Sequence, residues 1–254
     1  MKKIAIVDWF GFNLSPQERM KHIKEAGFSG VLLLWTDQFD SNFKLFPGYA
    51  KKEGLFVESA HASYLDADSL WDNTLDGETY EKKIIESVEE CSVYGIPTLV
   101  MHPVWERKSL PENDIGIQKL LRIVDKAENY DVSIAIENTT SHEFLEYIFS
   151  KIQSGRLGFC YDSGHHNLYC PKIDLLGLYG KKLLALHLHD NDGKTDQHAL
   201  PFTGEIDWNS LSIKLNEIDF KGAVSLEVRR GIGFEKVTDP ADFLNIAIDS
   251  AARI

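Results

Sequence analysis

Three stretches near the middle of the chain decide its fold: VSIAIE (132–137), LGFCYD (157–162) and LLALHLH (183–189). Each is a short apolar run of a kind typical of buried β-strands, and each ends on a carboxylate or an imidazole. Similar runs recur towards both ends of the chain, at 3–8, 29–35, 55–61, 97–102 and 222–228. We therefore predict eight strands.

Longer amphipathic stretches separate these strands. Residues 78–94 and 112–129 carry apolar residues at helical spacing, and a last helix is predicted at about 239–252. Gly27, Gly54 and Gly95 stand where left-handed helix caps are expected. Eight strand–helix units in 254 residues predict one α/β domain over 1–254, a (β/α)8 TIM barrel. The alternative, a doubly wound sheet, is disfavoured because no Gly-x-Gly-x-x-Gly follows the first strand.

Composition narrows the classes of function. The chain has 27 Lys and Arg against 39 Asp and Glu, a formal charge of −12, which disfavours binding to nucleic acids or anionic membranes. Its three cysteines have neither zinc nor disulfide spacing, so we expect a reducing, cytoplasmic location. The four uncharged residues between Lys3 and Asp8 are too few for a signal peptide, and no apolar run is long enough to span a membrane.

Six predicted strands end on side chains that can bind a metal: His61, His102, Glu137, Asp162, His187 and Glu227. In a barrel, the chemistry lies at the carboxyl ends of the strands, so these groups should converge. Acids and imidazoles gathered there would be costly to bury without a cation, which predicts a divalent metal site. Oxygen and nitrogen ligands without cysteine favour Mn²⁺, Co²⁺, Zn²⁺ or Mg²⁺.

Three local patterns add to this set. Asp162 and His165 are three residues apart, so one tight turn can direct both to the same site. His187 and His189 share one face of their strand because strand side chains alternate. The last pattern, DQH at 196–198, offers another carboxylate and imidazole on one side of an extended segment.

The chain resembles a known superfamily, the xylose isomerase-like TIM barrels. The matching segments, in family order, are IAIENT (134–139), YDSGHH (161–166), LHLHDND (186–192), DQHALPFTGEIDW (196–208) and SLEV (225–228). The superfamily includes sugar and sugar-phosphate isomerases and epimerases, as well as the endonuclease IV-like apurinic-site nucleases of AP endonuclease family 2.

The resemblance implies a core metal site formed by Glu137, Asp162, His187 and Glu227, with the two glutamates as catalytic groups. His187 is chosen over His189 because it stands three residues before an acid, Asp190. The nuclease branch uses further metal ligands, and these positions also have counterparts here. In a sugar enzyme they would be substrate contacts: His61, His102, His165, Asp196 and His198.

Charge and loop composition bear on the choice between the branches. One divalent ion on the core ligands leaves a net charge of about −1, suited to a neutral sugar, whereas three ions on all nine groups leave about +2, suited to a phosphodiester. The loops after the strands are acidic or aromatic, which disfavours DNA. We predict substrate contacts among the aromatic residues after strands 1 to 4 and the cation after strand 8, namely Trp9, Trp35, Trp105 and Arg229.

The function expected from this resemblance is a metal-dependent isomerase or epimerase of a small sugar or sugar phosphate. One glutamate would remove a proton beside the carbonyl to form a cis-enediolate, and the other would return a proton. A dehydratase, a trinuclear zinc nuclease and a non-catalytic sugar-binding barrel stay open as alternatives. The resemblance also leaves open a homo-oligomer.

Overall fold

The computed structural model describes residues 2–111 and 113–254. Its eight strands form one parallel sheet in the order β7-β6-β5-β4-β3-β2-β1-β8. The two ends of this sheet meet just beyond β7, where the Leu188 amide donates to the Ser225 carbonyl at 2.9 Å and the Glu227 amide donates to the Leu188 carbonyl at 3.0 Å. The predicted TIM barrel is confirmed.

The strands lie where the apolar runs predicted them, mostly one or two residues shorter. They are β1 (Ile4–Val7), β2 (Gly30–Trp35), β3 (Phe56–Ala62), β4 (Thr98–Met101), β5 (Ser133–Glu137), β6 (Leu157–Asp162), β7 (Leu183–His187) and β8 (Val224–Leu226). The largest differences are at β7 and β8, which end two residues before the predicted 189 and 228. There the chain leaves the regular ladder to close the barrel.

Nine α-helices lie in the described residues, mostly between consecutive strands. They are α1 (Pro16–Glu25), α2 (Phe46–Lys52), α3 (Leu75–Tyr94), α4 (Ile115–Asn129), α5 (Glu143–Lys151), α6 (Ser163–Tyr169), α7 (Leu175–Tyr179), α8 (Trp208–Glu217) and α9 (Pro240–Ala252). Glu112, the first residue of one predicted helix, lies outside the described residues, and that helix begins at Ile115. None of these helices is both long enough and apolar enough to cross a bilayer.

The helix ends follow from local chemistry. Gly27, Gly54 and Gly95 have φ values of 98°, 70° and 69°, as left-handed caps require. At the other end, Ser15 accepts a hydrogen bond from the Glu18 amide while Glu18 accepts one from the Ser15 amide, a capping box that begins α1. These signals bring the chain back to the sheet at defined residues.

Strand register determines which side chains enter the barrel. Residues paired across parallel strands point to the same face. Glu137 pairs with Cys160, and Asp162 pairs with His187. Below these polar groups, small side chains on β4 to β7 form a cluster separate from the main hydrophobic core: Val100, Ala135, Cys160 and Ala185. The barrel interior is therefore filled by small side chains below and is polar at its carboxyl end.

Candidate metal centre

Predicted metal-binding residues form one cluster at the carboxyl end of the barrel. Glu137, at the end of β5, lies at the centre of this cluster and is fully buried. One carboxylate oxygen, Oε2, lies 3.3 Å from His61 Nε2 and 3.0 Å from His187 Nδ1. The other, Oε1, lies 3.3 Å from His102 Nε2 and 3.0 Å from His165 Nδ1. Three strands and the start of α6 thus direct imidazole nitrogens to one carboxylate.

A second grouping shares Glu137 and extends towards β8. His187 Nδ1 lies 2.9 Å from Glu227 Oε2 as well as 3.0 Å from Glu137. Together with Asp162, these residues bring one ligand atom each to within 4.8 Å of one another. This is the core ligand set expected from the resemblance, and it contains two carboxylates that approach a single imidazole from different strands.

A third grouping contains a residue that the predicted ligand set omitted, His189. The Nε2 atom of this buried imidazole lies 3.2 Å from Asp162 Oδ2 and 3.7 Å from Asp196 Oδ1. Its ring stacks on His198, with centroids 4.2 Å apart. The even spacing of His187 and His189 placed both on one strand face, but spacing alone did not show that both reach the cluster.

Several donor atoms at the centre of the cluster approach one another without the geometry of hydrogen bonds. Both carboxylate oxygens of Glu137 and both ring nitrogens of His187 are buried and have no hydrogen-bond partner among the described residues. Asp196 Oδ1 is likewise buried and has no hydrogen-bond partner among the described residues. Buried polar atoms are normally hydrogen-bonded, so atoms that converge on a common point instead are typical of ligands around a cation. The donor set therefore fits a divalent metal.

The electrostatics of the cluster agree with this fit. Burial acts to raise the pKa of Glu137, but the His102 and His187 imidazoles outweigh burial and hold this pKa well below its usual range. Burial acts to lower the pKa of His187, whereas Cys160, Glu227 and Glu137 together raise it well above its usual value. Without a metal, the carboxylates thus attract protons onto the imidazoles, and metal binding must release those protons.

Backbone contacts orient the ligands. The His61 Nδ1 atom is 2.8 Å from the Ala62 carbonyl, and the His198 Nδ1 atom is 2.8 Å from the Glu227 carbonyl. Asp162 caps α6 by accepting a hydrogen bond from the His165 amide at 2.6 Å. Such outer contacts set ring orientation, and their loss typically costs about 10–100-fold in metal affinity.

Gly164 leaves the space that the His189 ring occupies. A Cβ atom built at residue 164 would lie only 1.9 Å from His189 Cε1. We expect Gly164→Ala to displace this ring and weaken metal binding by about 10-fold or more. The measurement is metal titration followed by calorimetry, with Gly155→Ala as the matched control because a Cβ atom built at residue 155 would lie more than 4 Å from every described atom outside its chain neighbours. Unchanged affinity in Gly164→Ala would contradict the prediction.

A further carboxyl, not predicted from the sequence, is that of Glu58 on β3, which is partly buried. Glu58 is the extra residue of a bulge in β3, because Val31 pairs with Val57 while Leu32 pairs with Ser59. Its Oε1 atom is buried without a hydrogen-bond partner. Burial raises the pKa of Glu58 to about 7, although the Ser225 hydroxyl and His187 act to lower it. The Ser59 hydroxyl donates to the other carboxylate oxygen, Oε2, at 3.4 Å.

This raised pKa predicts a pH-dependent effect of Glu58→Gln. The unfolded carboxyl ionises near pH 4.5, whereas the folded one stays protonated to about pH 7, so wild-type stability falls over that interval. The loss amounts to at most about 3 kcal/mol. Relative to wild type, Glu58→Gln should therefore gain stability between pH 4.5 and pH 8 in urea unfolding. A constant difference across this range would contradict the assignment.

The predicted substrate contacts divide into two groups. Trp105 is partly buried and stacks on His102, with centroids 5.8 Å apart, so it borders the cluster. Trp9 is 39% exposed beyond the end of β1, and Arg229 is exposed just after Glu227. These three positions are compatible with a substrate in the mouth of the barrel.

The structure corrects the expectation for Trp35. This side chain is buried and donates from Nε1 to Glu90 on α3 at 2.8 Å, with Phe43 packed against its edge. It therefore lies in the layer between sheet and helices, not in the mouth of the barrel. The reason is strand alternation: neighbouring Leu34 pairs with His61 and shares its inward face, so Trp35 points outward.

The three cysteines are free and buried, in agreement with the absence of disulfide spacing. Cys160 lies among the small side chains inside the barrel, below the cluster. Burial raises the pKa of its thiol far above the usual range. A thiol in this state is a poor nucleophile and a poor metal ligand.

Comparison with known proteins places this geometry in a family. The model of the xylose isomerase-like TIM barrel family, AP endonuclease family 2, matches residues 20–245. The chain belongs to this family. A relative from Sinorhizobium fredii, the uncharacterized protein y4fM, is 29% identical over 154 residues, which are 55% of this chain and 50% of y4fM. The chain thus spans about half the length of this relative.

Solved structures share the fold over the whole chain. A D-tagatose 3-epimerase-like protein superposes with a TM-score of 0.79 at 21% identity, covering 100% of this chain and 97% of that one. The IolI protein with a bound zinc atom superposes with a TM-score of 0.80 at 20% identity, with the same coverage. At these identities the likeness establishes the barrel fold of the family.

Proposed function

We propose that this chain is a divalent-metal-dependent isomerase or epimerase of small sugars or sugar phosphates. The observation that carries the proposal is the approach of two carboxylates, Glu137 and Glu227, to a single imidazole, at 3.0 and 2.9 Å from His187 Nδ1. A binding protein does not need two opposed carboxylates around one cation site. Support also comes from the structural likeness to an epimerase-like protein and to a zinc-binding one.

The residues proposed to hold the metal are Glu137, Asp162, His187 and Glu227. Their ligand atoms lie within 4.8 Å of one another, and three of the four residues are fully buried. A divalent ion in such a site, whether Mn²⁺, Co²⁺, Zn²⁺ or Mg²⁺, polarises a carbonyl oxygen and makes the neighbouring C–H more acidic.

The two glutamates are proposed to carry the proton transfers. One carboxylate removes the proton from the carbon beside the carbonyl, which gives a cis-enediolate, and the other returns a proton from the opposite face or to the adjacent carbon. Glu227 is 14% exposed in its side chain and Glu137 only 1%, so the two groups have different surroundings. Unequal environments allow one carboxyl to act as base while the other acts as acid.

Solvent isotope exchange tests this proposal. Metal-loaded protein is incubated in D₂O with a panel of ketoses, and deuterium on the carbon beside the carbonyl is measured by NMR together with the appearance of an epimer or isomer. Exchange that depends on metal is the expected result. Exchange accompanied by loss of a hydroxyl group would instead indicate a dehydratase. No exchange with any ketose at full metal occupancy would overturn the proposal.

A second candidate function is an apurinic-site nuclease with three zinc ions. The observation that favours it is the presence of further metal-competent groups around the core set, one containing His102 and His165 and another containing Asp196 and His198. Three ions would give the site a positive charge suited to a phosphodiester. Elemental analysis showing three zinc ions per chain, together with nicking of abasic duplex DNA, would establish the nuclease in place of the sugar enzyme.

A further inference from the structure

One arginine at the barrel mouth, Arg229, has no partner for its guanidinium group among the described residues. The chain has seven arginines. Six have partners for their guanidinium groups: Arg19 with Asp8, Arg107 with Asp72, Arg122 with Glu81, Arg156 with Asp131, Arg230 with the Val237 carbonyl and Arg253 over the Phe202 ring. The Arg229 side chain has neither an ion pair nor a hydrogen bond within residues 2–111 and 113–254, and it is exposed. In a chain of net charge −12, a cation without a partner beside an acidic cluster is available to a ligand.

The backbone holds Arg229 next to the metal centre. Its amide donates to the His198 carbonyl at 3.0 Å, and His198 Nδ1 lies 2.8 Å from the Glu227 carbonyl. The preceding residue, Val228, is fully buried, so the chain cannot easily swing outward here. The backbone of Arg229 is therefore held in place two residues beyond Glu227, a proposed metal ligand.

Tyr64 presents a second free donor on the other side of the mouth. Its ring is partly buried, stacks on His102 with centroids 5.1 Å apart, and packs at a tilt against Trp105 with centroids 4.5 Å apart. Its hydroxyl makes no hydrogen bond to any residue that the structure describes. Tyr64 also contacts His61, with ring centroids 5.7 Å apart, so it borders the same cluster as Arg229.

We infer that Arg229 and Tyr64 form a subsite for an oxyanion, so that the substrate is a ketose carrying a phosphate or a carboxylate at the end remote from its carbonyl. This inference rests on the proposed isomerase function. A guanidinium binds either oxyanion through paired, charge-assisted hydrogen bonds, and a tyrosine hydroxyl adds a third donor. The carboxylates of the metal centre repel an anion. The charged group of the substrate would therefore lie at the rim of the barrel mouth, and its neutral carbonyl end would lie at the metal centre.

Binding of matched sugars tests the subsite. Calorimetry on Mn²⁺-loaded protein compares D-fructose, D-fructose 6-phosphate and the keto acid 5-keto-D-gluconate. Wild type should bind at least one of the two anionic ketoses about 10-fold or more tightly than D-fructose, because charge-assisted hydrogen bonds contribute about 1.5–3 kcal/mol. The anion that gains more identifies phosphate or carboxylate as the natural group. The preference should shrink as ionic strength rises.

Three variants make the test specific. Arg229→Gln should remove most of the preference for the anionic ketose while leaving D-fructose binding within about 2-fold, and Tyr64→Phe should remove part of it. Arg156→Gln is the control, since it deletes one positive charge just before β6, at the opposite end of the barrel. Equal loss of all three sugars in Arg229→Gln, no preference in wild type, or no binding of any sugar would overturn the inference. Failure of isotope exchange with the Arg229-dependent preference intact would count against the proposed function alone.

Discussion

Glu137→Gln and Glu227→Gln should each lower kcat for isotope exchange by about 10³-fold or more. General acid–base groups contribute roughly 10²–10⁴-fold, and both glutamates are also proposed metal ligands, so each substitution removes two contributions. A glutamine keeps the size of the side chain but can neither accept a proton at neutral pH nor balance a divalent charge. The effect should appear in kcat more than in KM because the amide still fills the site.

Two measurements separate this loss of chemistry from a loss of fold. Circular dichroism and urea unfolding should show that both variants are folded. Glu205→Gln, which changes an exposed carboxylate in the loop after β7, should retain wild-type turnover. Retention of more than about a tenth of wild-type kcat in either active-site variant would exclude that glutamate as a proton-transfer group.

Removal of the metal should have a comparable effect. Protein stripped by a chelator should lose isotope exchange, and added Mn²⁺, Co²⁺, Zn²⁺ or Mg²⁺ should restore it, with the most effective ion indicating the native metal. Binding also stabilises the fold: at a metal concentration 100 times Kd the gain is about 2.7 kcal/mol. Urea unfolding with and without metal measures this gain independently of activity.

Substitution of a ligand tests the same point at the residue level. His187→Ala should reduce metal content measured by elemental analysis, because this imidazole approaches both proposed catalytic carboxylates. His22→Ala is the matched control, since His22 lies on α1 outside the cluster. Full activity of stripped protein would show that the cluster does not work through a cation, and full metal content in His187→Ala would show that His187 is not needed to hold the metal.

The apolar runs predicted the strands well because a buried parallel strand carries its signal in a few adjacent residues. IAIE in β5 and LGFCYD in β6 are apolar along their length and change to a carboxylate at the end. Helix caps were equally local, since Gly95 and Asp207 act within one turn of their helices. The last strands were less accurate because barrel closure, a contact between distant residues, sets where β7 and β8 stop.

The direction of individual side chains was harder to predict. Trp35 follows the same apolar run as inward-facing Leu34, yet it packs against α3. Glu58 is the extra residue of a bulge, which shifts the alternation of β3 by one residue. A one-residue shift reverses the face to which a side chain points. Small irregularities that leave no clear signal in the sequence therefore determine which side chains line the site.

The amino-acid sequence alone determined the eight-stranded barrel, the ends of six strands to within one residue and a set of nine metal-competent side chains, because each depends on local pattern or on the position of a residue within its own strand. Only the tertiary structure showed that His189 reaches Asp162 and Asp196, that Trp35 packs against α3 outside the barrel mouth, and that Tyr64 stacks on His102 beside the candidate metal centre. These are relations between strands far apart in sequence, and they depend on register, barrel closure and the directions of side chains across the barrel.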